Sequence, residues 1–193
     1  MRPLDALEAS LMAPRRFTVD EYHQLLHVGV LKEDEHVELL EGLIVDMTPQ
    51  GRPHALVISR LNRFLSRALG EAYSVRPQLP LSLSPDSEPE PDLAVVTRDE
   101  EERAEEHPRA ALLVVEVSGD SLRVDRLIKG RVYARAGIPE YWVVDVTSRI
   151  VEVYTAPAAG EGRYLSLRTV KGDETLTPSE LPGLDLPIAE LFS

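Results

Sequence analysis

Residues 112–146 read LLVVEVSGDSLRVDRLIKGRVYARAGIPEYWVVDV, and this stretch decides the fold. Its first part, LLVVEVS, is a short apolar, β-branched run that stops at Gly119-Asp120, the pattern of a buried strand. A helix follows, which Ser121 can cap and Gly137 can close, with Pro139 just beyond. EYWVVDV then reads as a second strand. The first strand raises a chemical question, because Glu116 sits in the middle of it.

The same reading extends outward in both directions. FTVDEYHQLLHVG, with Thr18 before it and Gly29 after it, predicts a helix. HVELLEGLIVDMTP predicts a β-hairpin turning at Glu41-Gly42. Ala55, Ile58, Leu61, Leu65 and Leu69 recur at helical spacing as far as Gly70. YSVRPQLPLSLSP is extended, EPEPDLAVV leads into a strand, and RDEEERAEEHPRA reads as a solvated loop or short helix. Downstream, RIVEVYT is a strand, and the last thirty residues supply a strand, a turn and a short terminal helix. No internal repeat or change of composition divides the chain. The expected organisation is a tail over residues 1–15 and one α+β domain over 16–193, a mixed sheet flanked by a few helices.

Hydrophobic residues make up 43% of the 193 and charged residues 28%, the balance of a globular chain with a core. No apolar run approaches the roughly 18 residues that cross a bilayer, and MRPLDALEASLMAPRR lacks the apolar block of a signal peptide. No cysteine is present, so disulfides and thiolate metal sites are excluded. The expected address is cytoplasmic, with no membrane partner. Twenty-one basic against 33 acidic residues give a net charge of −12, which argues against a general nucleic-acid coat. It leaves room for a nucleic-acid enzyme whose basic groups are local.

Asp92 opens the strand DLAVV, and Glu116 lies within LLVVEVS. If these strands pair, two carboxylates meet at one end of an otherwise apolar sheet. Close carboxylates in a low dielectric repel unless protonated or neutralised. Hard oxygen donors of this kind suit Mg2+ or Mn2+. A second reading sends Glu116 to solvent on a one-sided sheet while Val115 and Val117 face the core. Lys129 lies on the following helix, where Asp125, Lys129 and Tyr133 recur every four residues while Leu127, Ile128, Val132 and Ala134 form a packed side. The stripe is either a surface Asp125–Lys129 pair or the route by which an ammonium reaches the carboxylates. Tyr141 and Trp142 read as core.

Taken together, EPEPDLAVV, LLVVEVSGD and DRLIKGRVYARAGIPEYWVVD resemble the Uma-type family of restriction-endonuclease-like proteins, within the PD-(D/E)XK nuclease superfamily. FTVDEYHQLL, VELLEGLIVDM, PHALVISRLNRFL and LPGLDLPIAELF extend the likeness over nearly the whole chain. The resemblance implies a restriction-endonuclease-like core and metal ligation by Asp92 and Glu116. It adds Glu38 as a third metal-ligating acid and makes Lys129 a catalytic lysine moved from the strand onto the helix. His54, at the head of a helix, falls near the implied site. Ser118 stands where the pattern E-x-K has its lysine; with His54 and Arg126 it is a candidate substrate contact, Arg123 and Arg131 being further candidates.

The expected function is Mg2+-dependent (or Mn2+-dependent) hydrolysis of a DNA substrate, by a homodimer whose partner covers apolar surface on EYWVVDV and RIVEVYT. The alternative is a catalytically inactive nuclease-like scaffold that binds protein or nucleic acid. A hydrolase of small phosphorylated substrates is a third.

Overall fold

Alternation and capping in the sequence favour most of the elements locally. In the computed structural model, which describes residues 14–32, 34–102 and 106–193, α1 (Val19–His27) begins at a complete capping box. The Thr18 hydroxyl accepts from the Glu21 N–H, and the Glu21 carboxylate accepts from the Thr18 N–H. The hairpin of β1 (Val37–Leu40) and β2 (Leu43–Asp46) turns through Glu41 and Gly42, both at positive φ (49° and 78°). Such a turn matches the right-handed twist of the two strands. Next come α2 (Arg52–Ala68), β3 (Tyr73–Pro77), β4 (Leu93–Thr97), the short α3 (Arg98–Glu102) and β5 (Leu113–Ser118).

Helix α4 spans 122–135 and is not uniform. Between α-helical turns at Leu122–Val124 and Gly130–Arg135 it widens into a π-turn over Asp125–Lys129. It is followed by β6 (Glu140–Asp145), β7 (Ile150–Ala158) and β8 (Arg163–Lys171), then the small pair β9 (Thr175–Leu176) and β10 (Leu186–Pro187), and α5 (Ile188–Phe192).

One six-stranded sheet runs β3-β4-β5-β6-β7-β8. Only β5 and β6 pair in parallel, with Glu116 level with Val143. Parallel neighbours cannot be joined by a tight turn, so the crossover helix α4 is a topological requirement. Every residue of β5 and β6 is buried, because both sheet faces are covered. On one face Val57, Ile58, Leu61 and Leu65 of α2 pack against Leu93, Val95, Val115 and Val117. On the other, Tyr133 and Ile138 pack against Ala94, Val114, Tyr141 and Val143.

Four expectations are corrected. Ser121 stands at the N-cap of α4 as expected, but its hydroxyl caps no backbone N–H, being donated to the Asp125 carboxylate instead. Leu127 is not on the packed side but 60% exposed, while Asp125, Lys129 and Tyr133 face inward. The stripe is therefore not a surface ion pair. Nor do EYWVVDV and RIVEVYT offer the expected apolar surface: β6 lies between β5 and β7 and is wholly buried, and Val151 and Val153 of β7 are buried too. Within the strands the exposed large apolar side chains are Leu165 and Leu167 on edge strand β8. Residues 1–13 of the expected tail and 103–105 of the acidic run lie outside the described residues. No helix among those described is long and apolar enough to cross a membrane.

Candidate active site

Strands β4 and β5 pair from Val95–Leu113 to Leu93–Val115 and then part. Pro91 has no N–H to continue the ladder, and β5 runs on to Ser118 without that neighbour. The Val117 N–H left over is taken up by the Asp92 carboxylate, at 2.7 Å to Oδ2. His54 Nε2, from the first turn of α2, lies 3.1 Å from the same oxygen, and Gln50 Nε2 lies 3.4 Å from Oδ1. Where the sheet opens, it presents Asp92.

Glu116 is level with Asp92 across this opening. Val115 and Val117 do face the α2 core, but Glu116 points to a face covered by α4 and is only 3% exposed. Its Oε1 accepts from the Tyr133 hydroxyl at 2.6 Å and from the Lys129 ammonium at 3.0 Å. Lys129 also stands 3.0 Å from Glu38 Oε1, while Glu38 Oε2 accepts from the Glu90 N–H at 3.0 Å. The ammonium thus bridges two acids from elements far apart in the chain.

The π-turn delivers that ammonium. Gly130 N–H reaches back five residues to the Asp125 carbonyl, which also accepts from the Tyr141 hydroxyl at 3.1 Å. The Asp125 carboxylate in turn accepts from Ser118 and Ser121, at 2.6 and 2.7 Å. The Asp125 end of the turn is thereby anchored to the end of β5 at Ser118 and to β6 at Tyr141.

These groups line a cavity of about 150 Å3, whose lining includes six acidic residues, Glu38, Asp46, Glu90, Asp92, Glu116 and Asp125. Burial pushes Glu116 well above the usual carboxylate range; Lys129 opposes the shift, and Asp125, Asp92 and Glu38 reinforce it. Glu90 and Asp125 are raised too, again mainly by burial. Burial works against the Lys129 ammonium, but Glu116, Glu38 and Asp125 outweigh it and hold the group above its ordinary value. Burial likewise lowers His54, and its hydrogen bond to Asp92 more than restores it. The cavity holds more anionic groups than Lys129 can balance, and that imbalance together with the oxygen donor set fits a hard divalent cation. As the side chains stand, with the ammonium between Glu38 and Glu116, no three His, Cys, Asp or Glu groups among the described residues form a ready metal cluster.

Asp92, Glu116, Lys129, Glu38 and His54 are therefore brought to one place. Ser118 is not brought to the cavity surface: it is fully buried and engaged with Asp125. Arg126 lies outside the cavity lining, in a two-pronged pair with Glu152 at 2.6 and 2.8 Å. Arg131 pairs with Glu41. Sequence reasoning did not assign Tyr133, Asp125 or Glu90 to the site. The four-residue stripe 125/129/133 and the doubled acids of EPEPD were the available signals. A larger cavity, about 790 Å3, lies between the start of α1 and α3, where buried Arg76 is already paired with Glu101.

A family model described as "Uma2: Putative restriction endonuclease" matches residues 19–189. Among solved structures, a crystal structure described as a "putative nuclease belonging to DUF820" from Anabaena variabilis ATCC 29413 superimposes with a TM-score of 0.72. The match covers 91% of this chain and 97% of that one at 20% sequence identity, a likeness of fold. No curated protein matches the chain.

Proposed function

Because the chain belongs to the Uma2 family of restriction-endonuclease type, we propose that the cavity between β4, β5 and α4 is the active centre of a metal-dependent DNA endonuclease. The observation that carries this reading is the convergence of Asp92, Glu116 and Glu38 on one cavity with Lys129. A chain gains nothing in stability by burying such a cluster. Asp92 and Glu116 would hold a Mg2+ or Mn2+ ion, with Glu38 as a third oxygen donor. When bound, such an ion supplies Lewis acidity toward the phosphate and activation of water.

The chain's own residues do the rest. Water adds to phosphorus and the bond to the leaving sugar oxygen breaks, so negative charge builds on the phosphoryl oxygens. Lys129, held charged by its acids, cannot serve as the base; its fixed ammonium stabilises that charge. Tyr133 and Lys129 both occupy Oε1 of Glu116, and Oε2 accepts no hydrogen bond among the described residues. One carboxylate oxygen is thus left for a ligand. His54 and the Val117 N–H hold Asp92 in place. Ser118 and Ser121 hold Asp125, and through the π-turn the lysine.

This reading takes residues 16–193 as one domain in the cytoplasm. It also takes the enzyme as a homodimer, since cutting both strands of a duplex calls for two such centres. Purified protein with Mg2+ or Mn2+ nicks or cuts plasmid DNA, and Asp92→Asn and Glu116→Gln each abolish this. Cleavage that survives either change refutes the assignment. The second reading, a nuclease-like scaffold without catalysis, draws on Lys129 already standing between Glu38 and Glu116 as their counter-charge. Titration calorimetry separates the two: heat of Mn2+ binding that Asp92→Asn removes favours the enzyme, and no uptake at millimolar Mn2+ favours the scaffold.

A further inference from the structure

The chain carries a net charge of −12, yet one helix departs from it completely. Helix α2, RPHALVISRLNRFLSRA, contains Arg52, Arg60, Arg63 and Arg67 and no acid. At about 100° per residue, the four arginines fall within an arc of about 80°. The opposite side of the helix, Val57, Ile58, Leu61 and Leu65, is buried on the sheet, so the arginine arc is the outward face. Arg52, Arg63 and Arg67 are exposed. Arg60 is half-buried and donates to the Leu191 carbonyl at 2.9 Å. None of the four forms an ion pair among the described residues. Of the other arginines, Arg76, Arg126, Arg131 and Arg135 pair with glutamates, and Arg123 and Arg168, exposed without an ion pair among the described residues, sit singly on other elements.

We propose that the outward face of α2 is a docking rail for the phosphodiester backbone of a nucleic acid, guiding it to the cavity at the helix's N-terminal end. The proposal rests on the hydrolytic reading above for its substrate, and three observations carry it. First, four arginines without an ion pair among the described residues share one face of an acid-free helix, on a chain whose net charge of −12 otherwise repels a polyanion, so electrostatic docking is favoured at this face. Second, α2 begins at the candidate site: His54 in its first turn contacts Asp92. Third, a groove of about 320 Å3 runs beside the second half of the helix, lined by Arg60, Arg63, Phe64 and Arg67, with Glu190 the one acid in it. From Arg52 to Arg67 the helix rises about 22 Å, the length of roughly six base pairs of duplex. Exposed guanidinium groups spaced along one face bind phosphates without reading sequence.

The test is a binding measurement without cleavage. A fluorescent 30-base-pair duplex is titrated with full-length protein in EDTA over a series of salt concentrations. Arg63→Glu/Arg67→Glu, at exposed positions beyond the cavity lining, lowers affinity at least tenfold. Arg63→Ala/Arg67→Ala reduces the slope of log K against log salt by about two. Both keep the wild-type melting temperature within a few degrees. Affinity and slope unchanged in both variants overturn the rail, as does equal competition by anionic lipid vesicles, which assigns the face to a membrane surface. Failure of the two readings is separable. Wild-type protein that binds DNA through these arginines but cuts nothing with Mg2+ or Mn2+ leaves the rail and removes the nuclease. Cleavage that depends on Asp92 with arginine-independent binding does the reverse.

Discussion

Glu38 and Glu41 lie three residues apart on one hairpin, and each reaches a cation of α4. Glu38 meets Lys129 at 3.0 Å, with both side chains about 95% buried. Glu41 meets Arg131 in a two-pronged pair at 2.5 and 2.7 Å and Arg135 at 2.5 Å, with those arginines 39% and 54% exposed. The two clusters join the same elements by different physics. The outer one uses planar guanidinium forks and keeps its charges hydrated, so it costs little and contributes little. The inner one strips water from an ammonium and several carboxylates, a cost that their mutual attraction repays only in part. The outer cluster fastens the hairpin to the helix. Under the proposed function, the inner one is retained for what it would do to a bound phosphate.

The comparison is broken most sharply by activity. Asp92→Asn lowers Mg2+-dependent cleavage about a hundredfold or more, whereas Glu41→Gln leaves it within a few-fold; similar losses from both changes, measured on plasmid DNA, erase the distinction. Next in size is Lys129→Met. It strands buried carboxylates without their cation and lowers stability at pH 7 by about 3–5 kcal/mol in urea unfolding. Adding Glu116→Gln to that variant recovers part of the loss, because one stranded charge is gone. A Lys129→Met protein as stable as the parent denies the burial cost. Tyr133→Phe removes a buried hydrogen bond to Glu116 and costs about 1.5–3 kcal/mol by the same measurement.

The smallest effect is at the outer cluster. Glu41→Gln costs under about 1 kcal/mol at neutral pH and low salt, and less in 1 M salt. The hydrogen bond from Arg131 holds the Glu41 carboxyl below its ordinary 4.5, so the folded chain binds fewer protons there than the unfolded one. Its stabilisation is present above that ordinary value and is lost as pH falls through the lower folded one. Parent and variant therefore converge in acid, and a gap that widens below pH 4 contradicts the assignment.

How far the sequence reached is clearest at particular residues. The Glu41-Gly42 turn, the Thr18 cap and the Gly137 stop are local, and their signals were plain. Glu116 in an apolar run was legible as an anomaly; that the covering layer is α4, not solvent, was not. Lys129 is the sharper case. Asp125, Lys129 and Tyr133 were visible as a stripe, but spacing does not say whether a stripe faces water or protein, and only packing of α4 across β5 and β6 turned it inward. Leu127 points outward because the same rotation puts it there. The π-turn left no local sign that propensity could read, since it is held by Tyr141, Ser118 and the end of β5.

By itself the sequence determined the order and kinds of elements, the absence of thiol chemistry and the family, because periodicity, turn residues and extended motifs are carried by neighbours along the chain. Only the tertiary structure decided that Glu38, Asp92 and Glu116 share one cavity with Lys129, and that four arginines line a single outward face. Charge interactions depend on distance and on the water removed between groups, and both are set only when elements tens of residues apart pack together.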